Sequence, residues 1–313
     1  MRLVSAEEVH AALDYPSLVE ALRETFRRGV DLVERVGLAE PRRDGRQNDW
    51  LLLPAWQFGR NFGAKLVSVF PGNAAKGLAS VQGLYLLFDG TTGLPLAAID
   101  GAALTLRKTA ANSALAATYL ARDDAATLLM VGAGALAPHL IAAHAAVRPI
   151  RRVLIWNRSG DRAARLAAEL DRPGRAVEAV ADLEPACRAA DVISCATMAT
   201  EPLVQGAWLR PGTHLDLVGG FRPDMREADD EAVRRARVFV DARFTTLDHC
   251  GDVFQPLTDG LLTESEITDG FELARGERPG RRSADEITLF KSGGGGHEDL
   301  GTAQHLMARL AAG

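Results

Sequence analysis

The residues with the clearest chemical signature are Gly132, Gly134 and Ala137 in "VGAGALAPH". They follow the short apolar run "ATLLMV" and precede an Ala-rich stretch, so the order reads strand, turn, helix. In that context a GxGxxA pattern binds a dinucleotide. Gly132 would make the tight turn out of the strand, Gly134 would let the backbone approach the pyrophosphate, and Ala137 would let helix and strand pack closely. The chain enters the helix through Ala135 and Leu136, where unpaired N–H groups and the positive end of the helix dipole would meet the phosphates.

A second strand and a charged amphipathic helix follow in "RRVLIWNRSGDRAARLAAEL". The strand ends at Trp156-Asn157, where a dinucleotide site for NAD carries an acidic residue for the ribose 2′-OH. Asn157, Arg158 and Ser159 stand there instead, with Arg162 close behind. A 2′-phosphate would be accommodated better than repelled, so NADP(H) is favoured, while Asp161 keeps NAD(H) open.

Residues 126 to 147 contain no charged residue, yet they are rich in Ala and interrupted by Gly, His and Pro. They therefore lack the apolarity of a membrane span. Lys plus Arg number 36 against 41 Asp plus Glu, giving a net charge of −5 without a basic block, so nucleic acid is not expected as a partner. Cys187, Cys195 and Cys250 show no zinc-type spacing and cannot all pair, which fits a reducing cytoplasm. His139 and His144, five apart on an Ala-rich helix, are poorly spaced as metal ligands, and no metal is expected. Neither a GxSxG elbow nor a phosphate-binding P-loop occurs. The N-terminus "MRLVSAEEVHAALDY" carries acidic residues and no long apolar core, unlike a signal peptide.

Some 120 residues precede the glycine-rich turn, enough for a separate domain. They open with a helical pattern from Pro16 to Arg28. "NDWLLLPAW", "FGAKLVSVFPGN" and "VQGLYLLFDGTTGLPLAAIDG" then read as strands, the last folded at "DGTTG" into a hairpin. A sheet of this type needs its exposed edge or face covered, and a homodimer through it is expected. Residues 100 to 122 read as a helix leading into the first strand of the dinucleotide domain. The expected division is 1–122 for the first domain and 123–297 for the second, with a C-terminal helix over about 298–313 completing the first.

Five ordered blocks, "GAKLVSVFPGN", "RKTAANSALAATYLAR", "VGAGALAPH", "GGFRPDMRE" and "ITLFKSGGGGHEDL", resemble the ornithine cyclodeaminase/mu-crystallin family, and the resemblance covers nearly the whole chain. It implies an α/β protein: a Rossmann-type doubly wound parallel sheet plus an α+β substrate-binding and dimerisation domain. The chemistry it implies is hydride transfer between a nicotinamide and the Cα–N bond of an amino or imino acid.

Carried over residue by residue, the resemblance places Lys65 at the substrate carboxylate or imine nitrogen. A lysine in a cleft can anchor a carboxylate or donate a proton. It places an arginine of "EPRRDGRQNDW", Arg43 rather than Arg42, on the carboxylate. Where the family usually has Arg-Thr-Ala-Ala, this chain has Lys108-Thr109-Ala110-Ala111, with Arg107 one place earlier. Lys108 replaces the charge but not the bidentate fork, so the carboxylate would be differently oriented or held by Arg107. Thr109 would fall near the cofactor phosphates. Ser194, Ala196 and Thr197 would pass beside the nicotinamide ribose, whereas Cys195 reads as core. Lys291, Ser292 and Gly294 end the last strand over the nicotinamide.

Ornithine cyclodeaminase has a catalytic aspartate after the two glycines of "DLVGGFRPDMRE"; here Phe221 occupies that position, with Asp224 three residues on. Phenylalanine cannot accept a proton. The wording thus points to the branch that reduces Δ1-pyrroline-2-carboxylate and Δ1-piperideine-2-carboxylate, with Lys65 as proton donor. Two rivals remain in view: an ornithine cyclodeaminase with bound NAD, and a crystallin-like protein that binds NADP(H) without turnover.

Overall fold

The segments "TLLMV", "VISC", "HLDL" and "ITLFK" are buried along almost their whole length. Continuous burial of this kind, without polar alternation, belongs to the centre of a parallel sheet covered on both faces. A computed structural model of the chain describes residues 1–41, 47–79 and 81–312. It divides into two compact units, Met1–Lys108 with Gly295–Gly313, and Thr109–Gly294.

In the first unit the described strands are β1 (Arg2–Val4), β2 (Asp31–Leu32), β3 (Val36–Pro41), β4 (Gln47–Gln57), β5 (Asn61–Val69), β6 (Val81–Asp89) and β7 (Pro95–Asp100). They form one sheet in the order β1-β7-β6-β5-β4-β2, with β3 also on β4; β1 runs parallel to β7 and the other pairs are antiparallel. The β6–β7 hairpin turns as its sequence demands. Asp89 accepts from the Thr91 and Thr92 N–H groups at 3.0 and 2.7 Å, and Gly93 takes φ +74°. Helix α1 (Ala6–Ala12) precedes the expected helical stretch, and α2 (Tyr15–Arg28) and the start of α3 (Gly101–Leu120) follow the sequence pattern. Helix α3 runs on to Leu120, and the two units divide inside it, after Lys108.

The second unit holds β8 (Thr127–Val131), β9 (Arg152–Trp156), β10 (Ala176–Ala179), β11 (Val192–Cys195), β12 (His214–Leu217), β13 (Ala236–Val240), β14 (Thr268–Asp269) and β15 (Ile287–Lys291). Every pairing is parallel and the order is β10-β9-β8-β11-β12-β15-β13-β14. The chain winds outward from β8 in one direction, then restarts at β11 in the other. The β8/β11 junction is therefore the switch point where doubly wound sheets bind ligands at their carboxyl ends. Helices α4 (Ala137–Val147), α5 (Gly160–Leu170), α6 (Leu183–Ala189), α7 (Asp230–Arg235), α8 (Arg243–Thr246), α9 (Gly251–Thr258) and α10 (Gly270–Arg275) connect the strands.

The final helix, α11 (Gly296–Ala312), returns to the first unit and packs on α2, β4 and β5. Two glycines set its seat. A Cβ on Gly296 would lie 2.7 Å from the Pro54 carbonyl oxygen, and one on Gly301 would collide with Thr25. No larger residue would let the helix approach so closely.

Candidate active site

At the end of β8 the turn is as tight as the sequence requires. Gly132 adopts φ +112°, and a Cβ there would lie 2.6 Å from the Ala196 carbonyl oxygen, in the loop after β11. Its N–H donates to the Trp156 carbonyl at 2.8 Å, and the Ala133 N–H donates to Asn157 Oδ1 at 3.2 Å. Asn157 thus ties the glycine-rich turn to the end of β9. Around the Cβ position of Gly134 there is open space. Ala137 is buried, Pro138 lies in the first turn of α4, and no side chain caps that helix after Ala135 and Leu136. An open backbone at Gly134 and an uncapped helix start fit a dinucleotide pyrophosphate. Arg158 and Arg162 are exposed, and neither has an ion pair among the described residues.

Beneath the ends of β11, β12 and β15 lies a buried charge cluster that the sequence reading missed. Glu227 accepts from the Thr197 N–H at 2.7 Å, the Thr197 hydroxyl at 2.8 Å and the Gly219 N–H at 2.7 Å. Asp252 accepts from the Glu227 N–H at 2.7 Å and sits 3.2 Å from the Lys291 ammonium. Burial pushes the Glu227 carboxyl up to about 7; Lys291 and the Thr197 hydrogen bonds oppose the rise, and Asp252 adds to it. Burial alone would lower Lys291, but Asp252, Cys250 and Glu227 outweigh it and hold the ammonium above its ordinary value.

Lys291, expected over the nicotinamide, belongs to this cluster. Its side chain is fully buried in an ion pair inside the second unit, so its charge is spent on Asp252. Ser292 is buried as well, accepting from Asn112 at 3.5 Å, while the Gly294 N–H donates to Asp241 at 2.6 Å. Thr109 is buried near the start of this unit. Phe221 is 46% exposed in the loop after Gly219 and Gly220. Those glycines have no room for a Cβ, since Glu227 and Asp252 press against them. Asp224 is exposed and paired with Arg222 at 2.9 Å, so it supplies no buried carboxylate in place of the missing aspartate. Cys195 is core: burial raises its thiol well above the ordinary range.

In the first unit, Lys65 and Lys108 do not stand as bare cations. Lys65, 6% exposed, places its ammonium 3.1 and 2.9 Å from the two carboxylate oxygens of Asp299. Lys108 is 2.5 Å from Glu298. Both acids are fully buried in the first turn of α11. These are two lysine–carboxylate pairs. Burial lowers Lys65, Asp299 and Glu298 raise it, and Lys108 lowers it further. Tyr85, opposite Lys65 on β6, is fully buried, and its hydroxyl finds no hydrogen-bond partner among the described residues. Arg107 stacks 5.0 Å over Tyr15 and donates to the His10 carbonyl, which occupies its guanidinium. Arg43, and Arg42 beside it, lie outside the described residues. The signal for Glu298 and Asp299 was available: two adjacent acids open a helix whose following turns are mainly apolar.

No group of three or more metal-binding side chains occurs among the described residues, and no described helix is long and apolar enough to cross a membrane. A Δ1-pyrroline-2-carboxylate reductase from Paracoccus denitrificans is 43% identical over 100% of this chain and 98% of its own. The solved structure of a Thermococcus litoralis Δ1-pyrroline-2-carboxylate reductase, in complex with NADH and L-proline, superposes with a TM-score of 0.91. It is 31% identical, covering all of this chain and 98% of its own. An archaeal alanine dehydrogenase dimer with bound NAD also reaches 0.91, at 27% identity, covering all of this chain and 96% of its own. The sequence pattern of one family matches residues 1–313 from end to end, and by it this chain belongs to the ornithine cyclodeaminase/mu-crystallin family.

Proposed function

We propose that this chain is an NAD(P)H-dependent reductase of cyclic imino acids, taking Δ1-pyrroline-2-carboxylate and Δ1-piperideine-2-carboxylate to L-proline and L-pipecolate. The observation that carries the reading is the end-to-end match to a Δ1-pyrroline-2-carboxylate reductase. Phe221 supports it. A half-exposed phenyl ring suits an apolar ring substrate, and the position offers no carboxylate for the distal amino group of ornithine.

When bound, the nicotinamide supplies a hydride to the imine carbon. The protein's part is to hold the substrate and keep its nitrogen protonated, because an iminium is far more electrophilic than a neutral imine. Lys65 is the candidate proton donor; Lys65, Lys108 and Arg43 are the candidates to hold the carboxylate. Gly132, Gly134, Ala135 and Leu136 would cradle the pyrophosphate, with Thr109 near the phosphates. Ala196 and Thr197 would border the nicotinamide ribose, and Ser292 and Gly294, after the last strand, would lie by the nicotinamide. For Lys291 the supporting role is indirect, through the acids that brace Thr197.

Within this reading NADP(H) is preferred. Asn157 replaces the expected acid, and Arg158 and Arg162 offer two exposed guanidinium groups to a 2′-phosphate. A homodimer is part of the same proposal. Trp50, Phe62, Leu66 and Leu84 share one face of the first unit's sheet, each more than a third exposed, as a self-complementary interface requires. Three free, buried cysteines suit a cytoplasmic location.

The test follows absorbance at 340 nm with NADPH or NADH and each imino acid, beside an ammonia assay with L-ornithine. Cofactor oxidation by an imine without ammonia from ornithine is expected. Ammonia release would favour the cyclodeaminase; cofactor binding with silence in both assays would favour a non-catalytic, crystallin-like role.

A further inference from the structure

We propose that Asp299 is a positioning residue for Lys65: its carboxylate keeps the buried ammonium charged and aimed, so that Lys65 can act as proton donor to the imine nitrogen. The inference rests on the imine-reductase reading above.

The geometry is specific. Lys65 sits in the middle of β5, with apolar Leu53 opposite it on β4 and Tyr85 opposite it on β6. Asp299 meets its ammonium with both oxygens, at 3.1 and 2.9 Å, in a fully buried turn. That turn cannot slide, because Gly296 is pressed against Pro54 and Gly301 against Thr25. Asp299 therefore fixes the direction of the Lys65 ammonium as well as its charge.

A lone lysine so deeply buried would tend to lose its proton and with it any use as an acid. The groups facing it are Asp299 and Glu298 on α11, Lys108 on α3 and Tyr85 on β6, with His297 behind them, 3.8 Å from Glu298. Of these Asp299 is the strongest support for the charged form, and Lys108 opposes it.

The step balances as follows. Lys65 gives its proton to the imine nitrogen, forming an N–H bond. The C=N π bond then opens as hydride from a reduced nicotinamide forms the C–H bond. The imine gains two electrons, the nicotinamide loses them, and neutral Lys65 beside the Asp299 carboxylate regains a proton from water.

The first readout needs no turnover. Trace labelling of amines with acetic anhydride across pH, with mass spectrometry of the Lys65 peptide, gives its titration in the folded full-length protein. Asp299→Asn is expected to lower the Lys65 midpoint by about one pH unit or more, Lys108→Met to raise it, and Asp299→Glu to restore it in part. In the imine assay the alkaline limb of kcat should move with the midpoint in each variant, while the KM for the imine in Asp299→Asn stays within about threefold. A merely structural Asp299 would lower activity without moving that limb. An unmoved Lys65 titration in Asp299→Asn overturns the inference, and if that variant fails to fold, an unmoved titration in Lys108→Met does so. Failure of the wild type to reduce any cyclic imine overturns the donor role together with the proposed function. Turnover by the wild type with a fixed titration overturns the inference alone.

Discussion

Replacing Glu227 by Gln keeps the size of the side chain and removes its charge, and the structure allows the outcome to be worked through. The carboxylate accepts three hydrogen bonds, two on one oxygen from Thr197 and one on the other from Gly219. A glutamine offers one oxygen; its NH2 would face a donor at either Gly219 or Thr197. A buried donor left unsatisfied costs about 1–3 kcal/mol. For a domain of this size, a loss of about 2 kcal/mol lowers Tm by roughly 4–8 °C.

The charge itself acts in the other direction. In the folded protein the carboxyl is raised to about 7 from an ordinary value of 4.5, mainly by burial. Between those values the unfolded chain ionises first, so the wild type loses stability as pH rises from 4.5 through 7, by up to ~3 kcal/mol. Gln cannot titrate. The wild type should therefore exceed Glu227→Gln by about 2 kcal/mol near pH 5, and the gap should close or reverse by pH 8. Urea denaturation at pH 5, 6, 7 and 8 reads this directly. The KM for NADPH should rise several-fold throughout, because Thr197 and the Gly219 loop lose their brace. A stability gap that stays flat from pH 5 to 8, or an unchanged KM, would refute the reasoning.

Gly132→Ala should raise the Kd for the dinucleotide at least tenfold by fluorescence titration, since φ +112° and a carbonyl oxygen at 2.6 Å both exclude a Cβ; a Kd within twofold of wild type would contradict the turn's role. Lys291→Met leaves Asp252 and Glu227 buried without their cation and should cost about 3–5 kcal/mol, a Tm lower by roughly 6–20 °C. A Tm within 2 °C would show, on that same scale, that the lysine is not needed there. Changing Arg158 and Arg162 together to Ala should lower kcat/KM with NADPH about tenfold or more and leave NADH within threefold, as expected for two bidentate contacts to a 2′-phosphate. Equal losses with both cofactors would remove the case for NADP(H).

The Rossmann half was legible because its signals are local. A strand, two glycines and a helix lie within one short stretch, and burial along the apolar run "ATLLMV" follows from its composition. The hairpin at "DGTTG" was equally readable, since Asp89 and Gly93 carry the turn chemistry themselves. Partnerships between distant residues were not. Nothing near Lys65 announces Asp299, and nothing near Lys291 announces Asp252, because each pair forms only once the sheets have been assembled. For the same reason the sequence does not show that Lys65, Lys108 and Lys291 are each half of an ion pair.

The C-terminal helix has a consequence for how the chain matures. Lys65 and Asp299 are 234 positions apart, and everything from Thr109 to Gly294 is synthesised between the two parts of the first unit. At the usual pace of translation, that separation is a delay of roughly 10–50 s. During it the second unit can fold as an uninterrupted segment, while β4 and β5 wait with one face of their sheet uncovered and two lysines without their acids. The last seventeen residues to take helical form thus close the first unit, and a message truncated just before them would yield a nucleotide-binding half joined to a sheet that chaperones and proteases would recognise as unfinished.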